Sequence, residues 1–392
     1  MPWKVTDAMS LRLELVNLMQ RDGANVSELC RRFGISRNVA YKWLRRAQSD
    51  KDLADRSRRP ASSPAKTGAL VEAQVVALRR KHRAWGGRKL RRRLQDLGVE
   101  AVPASSTITG ILHRHGLIES EESAKHQPFI RFEHPAPNDL WQMDFKGHVA
   151  MEQGRCHPLT VLDDHSRYSL CLDACGNEQT ETVQDRLTRA FRRYGLPFRM
   201  LMDNGSPWGD DGTHPYTPLT VWLLLLDISI SHGRPYHPQT QGKDERFHRT
   251  LKDEVLTHNT FRDLQHCQHH FDAWREIYNH QRPHEALGLE VPASRYQVSP
   301  RTFPEQIPKI VYAPDVIVRK ASDHGLVYYK GRTYRLPKAF KGYPIGLRHT
   351  VQDGVMDVLF ARHHILTLDL RSGITTKPVT HVPAHLSPLS PV

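Results

Sequence analysis

Apolar positions recur at helical spacing in three short blocks between Ser10 and Arg46. Leu11, Leu15 and Leu18 share one face of the first block. Val26, Leu29, Cys30 and Phe33 share one face of the second, which Gly34 ends. Ser36 is placed to cap a third block that turns Val39, Ala40, Trp43 and Leu44 inward. This pattern predicts a helix-turn-helix unit over 1–49. The polar stretch 50–66, with its Pro and Ser, reads as a flexible linker. Over 67–118 the pattern gives a long helix, a break at Trp85-Gly86-Gly87, a second helix to Leu97, and a third that opens at Ser105 or Ser106 and ends near Gly116. A connector over 119–137 follows. From 138 to 298 strand-like alternation mixes with helices, the texture of one α/β domain. After a Pro-bearing connector over 299–308, hairpin signals such as Asp353-Gly354 predict a small β-rich, barrel-like domain over 309–372. A loose tail over 373–392 completes the chain.

Charge changes the picture from a multidomain protein to one with a polyanionic partner. Lys and Arg number 56 against 42 Asp and Glu, a formal charge of +14, with 24 His besides. The outer face of the third helix offers Arg37, Asn38, Tyr41, Lys42 and Arg45, donors suited to phosphates and base edges in a major groove. A small helical bundle with a solvated basic face is the plainer alternative. Between Val75 and Leu94 stand nine Lys or Arg residues, among them Arg88, Lys89 and Arg92, and no acid. So one-sided a run inside a second helix-turn-helix pattern favours phosphate contact. No segment reaches the roughly 20 apolar residues of a spanning helix, and the N-terminus has no apolar signal core. The expectation is a cytoplasmic, nucleoid-associated protein of bacterial type with no membrane partner. Five widely spread cysteines without a Cys-x-x-Cys pair read as buried thiols. The cluster of His266, Cys267, His269 and His270 lacks the second ligand pair that a structural zinc site requires.

The candidate chemistry lies in three acids at element ends. Asp144 sits on the strand-like run Trp141-Gln142-Met143-Asp144-Phe145. Asp203 ends the run from Phe198 to Met202, and Gly205 lets the chain turn away. Glu245 opens a helix on which Arg249, Lys252 and Leu256 follow on the same face. Carboxylates from a strand, a strand tip and a helix can converge on two magnesium ions, with manganese able to substitute, and Arg249 and Lys252 are then placed for nearby DNA phosphates.

The runs WQMDF, LTVLDDHSRY, LMDNG, HPQTQGKDERFHRTLKDE and YNHQRPHEAL resemble the integrase-type core of DDE insertion-sequence transposases, kin to retroviral integrases. The run ELCRRFGISRNVAYKWLRR, the Trp-Gly-Gly unit and the run YYKGRTYRLPKAFKGYPIG are similar to the same group, within it to the insertion-sequence family numbered four-eight-one. The resemblance covers nearly the whole chain. It implies an RNase H-like core built on a five-stranded mixed sheet and a catalytic triad at Asp144, Asp203 and Glu245. It further implies metal-dependent cleavage and strand transfer, and double-stranded DNA as partner, both terminal inverted repeats and target. Homo-oligomers are implied once two DNA ends meet. The gap between the second and third acids is longer than in retroviral relatives, with Trp208 to Pro218 as the insertion. Asp244 adjoins Glu245 but is rotated by about 100° around a helix.

Other acids and polar residues have plainer readings. Asp163 and Asp164 suit a turn with Ser166 and Arg167. Asn279, Arg282 and His284 suit helix-end packing. Tyr236, His237, Gln239 and Gln241 suit either a mobile loop over DNA or an ordinary surface loop. Two competing functions are a DNA-binding repressor with a relic core and a general RNase H-like nuclease. The complete acidic set speaks against the first, and the N-terminal DNA-reading units against the second.

Overall fold

The computed structural model describes residues 7–49, 53–55, 67–118, 133–209, 216–233, 242–373 and 375–376. They fall into two compact units, divided between Lys66 and Thr67.

The first unit holds three helices, α1 (Ala8–Met19), α2 (Val26–Phe33) and α3 (Arg37–Ser49). Capping sets their ends. Asn25 accepts from the Ser27 and Glu28 amides, and Ser36 Oγ accepts from the Val39 amide at 3.4 Å. Gly34 ends α2 with φ +64, a left-handed conformation that glycine adopts without cost. Leu15, Met19, Cys30 and Ala40 form the core. Leu11 and Val39 depart from the periodicity reading: both are exposed, because α1 buries Leu15, Val16 and Met19, and α3 buries Ala40 and Trp43. The stretch after α3 is also more than linker. Leu53 packs on Val16 and Trp43, while Arg12 holds the Leu53 carbonyl and the Asp55 carboxylate, each at 2.9 Å.

The second unit begins with α4 (Ala69–Lys81), α5 (Gly87–Asp96) and α6 (Ser105–Arg114) around buried Trp85, Leu90, Leu94, Ile108 and Ile111. Gly87 permits close packing of α5 on α6, since a Cβ there would stand 2.5 Å from the Ser105 carbonyl oxygen.

The α/β core follows as β1 (Trp141–Phe145), β2 (Val149–Ala150), β3 (Arg155–Asp163), β4 (Ser169–Cys175), α7 (Thr180–Tyr194), β5 (Arg199–Met202), α8 (Pro218–Leu225), β6 (Ser229–His232), α9 (Gly242–Leu251) and α10 (Leu264–His280). A π-helical stretch, Lys252–Leu256, continues α9. The sheet is mixed. β3 pairs antiparallel with β1 and β4, whereas β1–β5 and β5–β6 are parallel. The sheet has six strands rather than the expected five, because the two-residue β2 pairs with the start of β3. Strand alternation divides the side chains between two faces. Trp141, Met143, Leu159, Val161, Met200 and Met202 meet α7 and α8 on one face; Leu162 and Leu172 meet α9 and α10 on the other. Gln142 and Asp144, offset by one from Trp141 and Met143, therefore belong to the α9 side.

The C-terminal region comprises β7 (Ile317–Lys320), β8 (Leu326–Tyr329), β9 (Arg332–Arg335), β10 (Pro344–His349), β11 (Val355–Phe360), β12 (His363–Asp369) and β13 (Thr375–Thr376). Among the described residues these strands form a five-stranded antiparallel sheet and a separate β8–β9 hairpin rather than one closed barrel. Both enclose one core that also takes in Tyr216, Val221 and Leu224. The pairing of β13 with β12 carries the domain past the expected boundary at 372.

Where the later connectors are described, they are bonded to the core. Arg301 donates to the Asp227 carbonyl at 2.7 Å, and the Leu196 amide donates to the Arg301 carbonyl at 2.7 Å, so 299–308 packs on the core instead of spanning a gap. At the end of the 119–137 connector, the His134 amide donates to Asp164 Oδ2 at 2.8 Å. Among the described residues no helix is long and apolar enough to cross a membrane.

Candidate active site

Parallel pairing sets the position of the first two acids. Trp141 is level with Met200 and Gln142 with Leu201. Two residues beyond that last paired position stand Asp144 on β1 and Asp203 at the end of β5, at the carboxyl edge of adjacent strands roughly 4.8 Å apart. Such an edge is where ligands bind in open α/β sheets. Asp144 feels its neighbour: burial first, and then the Asp203 charge, push its carboxyl up to about 7.

Each acid is held by a partner that sequence reading did not single out. The Gly205 amide donates to Asp203 Oδ1 at 3.0 Å, the Trp208 indole N–H donates to the same oxygen, and His232 Nδ1 lies 2.7 Å from the Asp203 carbonyl oxygen. Oδ2 of Asp203 stays clear of these donors. Thr160, opposite Asp144 in the β1–β3 ladder, donates its hydroxyl to the Asp144 carbonyl oxygen at 2.9 Å. The same hydroxyl oxygen lies 2.8 Å from His248 Nε2. With the hydroxyl proton spent on Asp144, that oxygen accepts, so His248 carries its proton on Nε2 and leaves Nδ1 bare. Nδ1 faces Asp144 Oδ2 at 3.9 Å. Burial holds the imidazole neutral, its pKa pushed down to about 3.

Helix α9 buries Asp244, Phe247, His248 and Leu251 and exposes Glu245 and Arg249; Lys252, just beyond it, is exposed too. The structure thus brings Asp144 and Asp203 together, and sets Glu245 on the outer face with the two cations named from the sequence. Among the described residues no three His, Cys, Asp or Glu side chains are arranged to hold a metal ion. The inward acid of α9 is Asp244, and among the described residues neither of its carboxylate oxygens has a hydrogen-bond partner. The available signal was the apolar pair Phe247 and Leu251, whose stripe includes Asp244 and His248.

The remaining acids are accounted for by structure. Asp163 Oδ1 accepts from the Ser166 amide and hydroxyl at 2.8 and 2.5 Å. Asp164 accepts from Gln142 Nε2 at 2.6 Å and from Lys243 Nζ. Asn279 clamps Ser169 of β4 through both backbone groups. Tyr236, His237, Gln239 and Gln241 lie outside the described residues, as do 210–215 of the insertion.

Arg37, Asn38, Tyr41, Lys42 and Arg45 are all exposed on α3. The basic face of α5 is less open than its composition suggests. Lys89 is half-buried, and burial first and the Arg282 charge second lower its ammonium to about 8. Arg88 lies 3.7 Å from Glu285, and Arg92 pairs with Asp96 at 2.8 Å on its own helix. Cys267 packs against Cys156 with the sulfurs 3.7 Å apart, and all five cysteines are buried thiols.

Comparison with known proteins matches integrase core domain models over residues 134–238 and 226–292. The C-terminal domain of IS481 family transposases matches over 316–376. A helix-turn-helix domain matches 11–61 and a homeodomain-like domain 39–112. A 31.7 kDa protein of insertion element IS407 from Burkholderia multivorans is 25% identical over 70% of this chain and 91% of its own length. A 39.2 kDa protein of insertion element IS476 from Xanthomonas euvesicatoria is 26% identical over 62% of this chain and 69% of its own. Among solved structures, the simian T-cell lymphotropic virus intasome in complex with a PP2A regulatory subunit aligns over 72% of this chain and 91% of the matched chain, at 15% identity and a TM-score of 0.38.

Proposed function

Because the chain belongs to the insertion-sequence transposases of the IS481 type, we propose that it binds the ends of its element and carries out metal-dependent DNA cleavage and strand transfer with Asp144, Asp203 and Glu245. The observation that carries this reading is the pair of carboxylates at the edge of two adjacent parallel strands, with Asp144 held up to about 7 by burial and by Asp203. A site that strains a carboxylate in this way suits a cation.

The donor set fits magnesium, a hard ion that prefers carboxylate oxygens, and manganese can replace it. Asp144, Asp203 and Glu245 would hold two such ions, whose chemistry when bound is to polarise the phosphodiester and ease deprotonation of the attacking oxygen. The protein's own groups do the rest. Trp208 and the Gly205 amide fix Asp203 through one oxygen and leave the other clear of these donors. Thr160 and His248 fix the β1 edge beneath Asp144. Arg249 and Lys252, exposed along with Glu245, contact the DNA phosphates.

In the first step water hydrolyses a phosphodiester at the element end; in the second the freed 3′-hydroxyl attacks a phosphodiester of target DNA, the new P–O bond forming as the target's own P–O3′ bond breaks and that 3′ oxygen leaves with the proton. No covalent enzyme intermediate is required. Arg37, Asn38, Tyr41, Lys42 and Arg45 read the terminal repeats, Arg88 and Arg92 add backbone contacts, and two copies or more assemble on paired ends.

The test is strand transfer by the purified full chain with end-sequence DNA and magnesium. Asp144→Asn and Asp203→Asn should each abolish joined products and leave DNA binding intact. Joining that survives either substitution would refute the assignment. Cutting of arbitrary RNA–DNA hybrids without joining would favour a nuclease.

A further inference from the structure

Neighbouring acids on α9 have opposite surroundings. Glu245 is exposed, whereas Asp244 is 1% exposed and both its oxygens lack a hydrogen-bond partner. Native proteins rarely leave a buried carboxyl in that state, because withdrawing it from water without a replacement partner is costly. The nearby donors are committed elsewhere. Lys243 and the Gln142 amide both serve Asp164, and the Thr160 hydroxyl serves the Asp144 carbonyl.

What Asp244 faces follows from His248. Residues four apart on a helix lie one above the other, and His248 places Nδ1 3.9 Å from Asp144 Oδ2. The buried face of α9 is therefore the one set against the carboxyl edge of β1. Among the described residues nothing answers the oxygens of Asp244, and a cation between it and Asp144 would.

We propose that Asp244 is an additional metal-ligating carboxylate of this pocket, entering from α9 beside Asp144 and Asp203. The inference rests on the metal-dependent reading above, and adds an acid from the helix's buried face. It accounts for both orphaned oxygens and for the presence of an acid at a position that otherwise belongs to the apolar stripe of Phe247 and Leu251.

Manganese binding to the full chain, followed by calorimetric titration and by the metal-induced shift in melting temperature, tests this without reference to catalysis. Asp244→Asn and Asp244→Leu should each weaken manganese binding at least tenfold. In EDTA, Asp244→Leu should melt at or above the parent, since it removes an unanswered polar group from an apolar stripe. Parent-like affinity in both variants, with Asp144→Asn abolishing binding, would overturn the role of Asp244 and leave the metal pocket standing. Loss of the fold in both would make Asp244 a structural residue and equally overturn the proposal. Absence of saturable manganese binding in the parent chain would remove the metal-dependent reading itself, and this inference with it.

Discussion

Arg282 and Glu254 form an ion pair at 2.9 Å, with the two side chains only 7% and 8% exposed. The second oxygen of Glu254 accepts from the Trp274 indole at 2.9 Å. Glu254 lies in the π-helical continuation of α9 and Arg282 just beyond α10. The pair therefore ties together the ends of the two helices that cover the Asp144 face of the sheet. Arg282→Met should destabilise the chain by about 3–5 kcal/mol, because it leaves Glu254 buried and unpaired. Glu254→Leu combined with Arg282→Met should recover most of that loss in denaturant unfolding. Additive losses in the double variant would show that packing around Arg282, not the ion pair, supplies the stability.

The elevated carboxyl of Asp144 makes the metal-free protein sensitive to pH. Its folded pKa of about 7 stands above the ordinary 3.8, so the folded chain binds a proton that the unfolded chain releases. The favourable contribution is complete below 3.8 and is lost as pH rises to about 7. In EDTA, Asp144→Asn should melt several degrees above the parent at pH 8, and the gap should close toward pH 4. A constant gap would show that Asp144 is not strained by its surroundings.

The opposite sign applies at His82, which stacks on Trp85 with ring centroids 3.9 Å apart. Burial first, then Lys81, lower its pKa to about 4 from 6.5. The unfolded chain thus takes up a proton that the folded chain refuses, and stability is lost as pH falls from 6.5 to 4. His82→Phe keeps a ring over Trp85 and removes the titration. Its advantage over the parent should grow on acidification to at most about 3 kcal/mol, read as diverging thermal melts between pH 7 and pH 4.5.

On α3, Arg37 and Lys42 are exposed, and each is a candidate phosphate contact. Arg37→Ala with Lys42→Ala should weaken binding to end-sequence DNA and reduce the slope of log affinity against log salt by about 2. Helix content by circular dichroism should not change. An unaltered salt slope would remove these residues from the DNA surface.

The sequence by itself determined the helices of both N-terminal regions, the order of the domains and the acids worth attention. The signals there are local. Asn25 and Ser36 cap, Gly34 adopts the left-handed turn, and alternation along Trp141-Gln142-Met143-Asp144 already puts Asp144 on the face opposite Trp141. Tertiary structure alone decided which side of α9 meets the sheet, since each residue turns a helix by about 100° and the rotation is set by Phe247 and Leu251 packing on α10. It likewise exposed Leu11 and Val39, and bound Arg301 of the supposed connector to Asp227. Each of these depends on a partner distant in the chain, and periodicity records only that a face is apolar, not what will cover it.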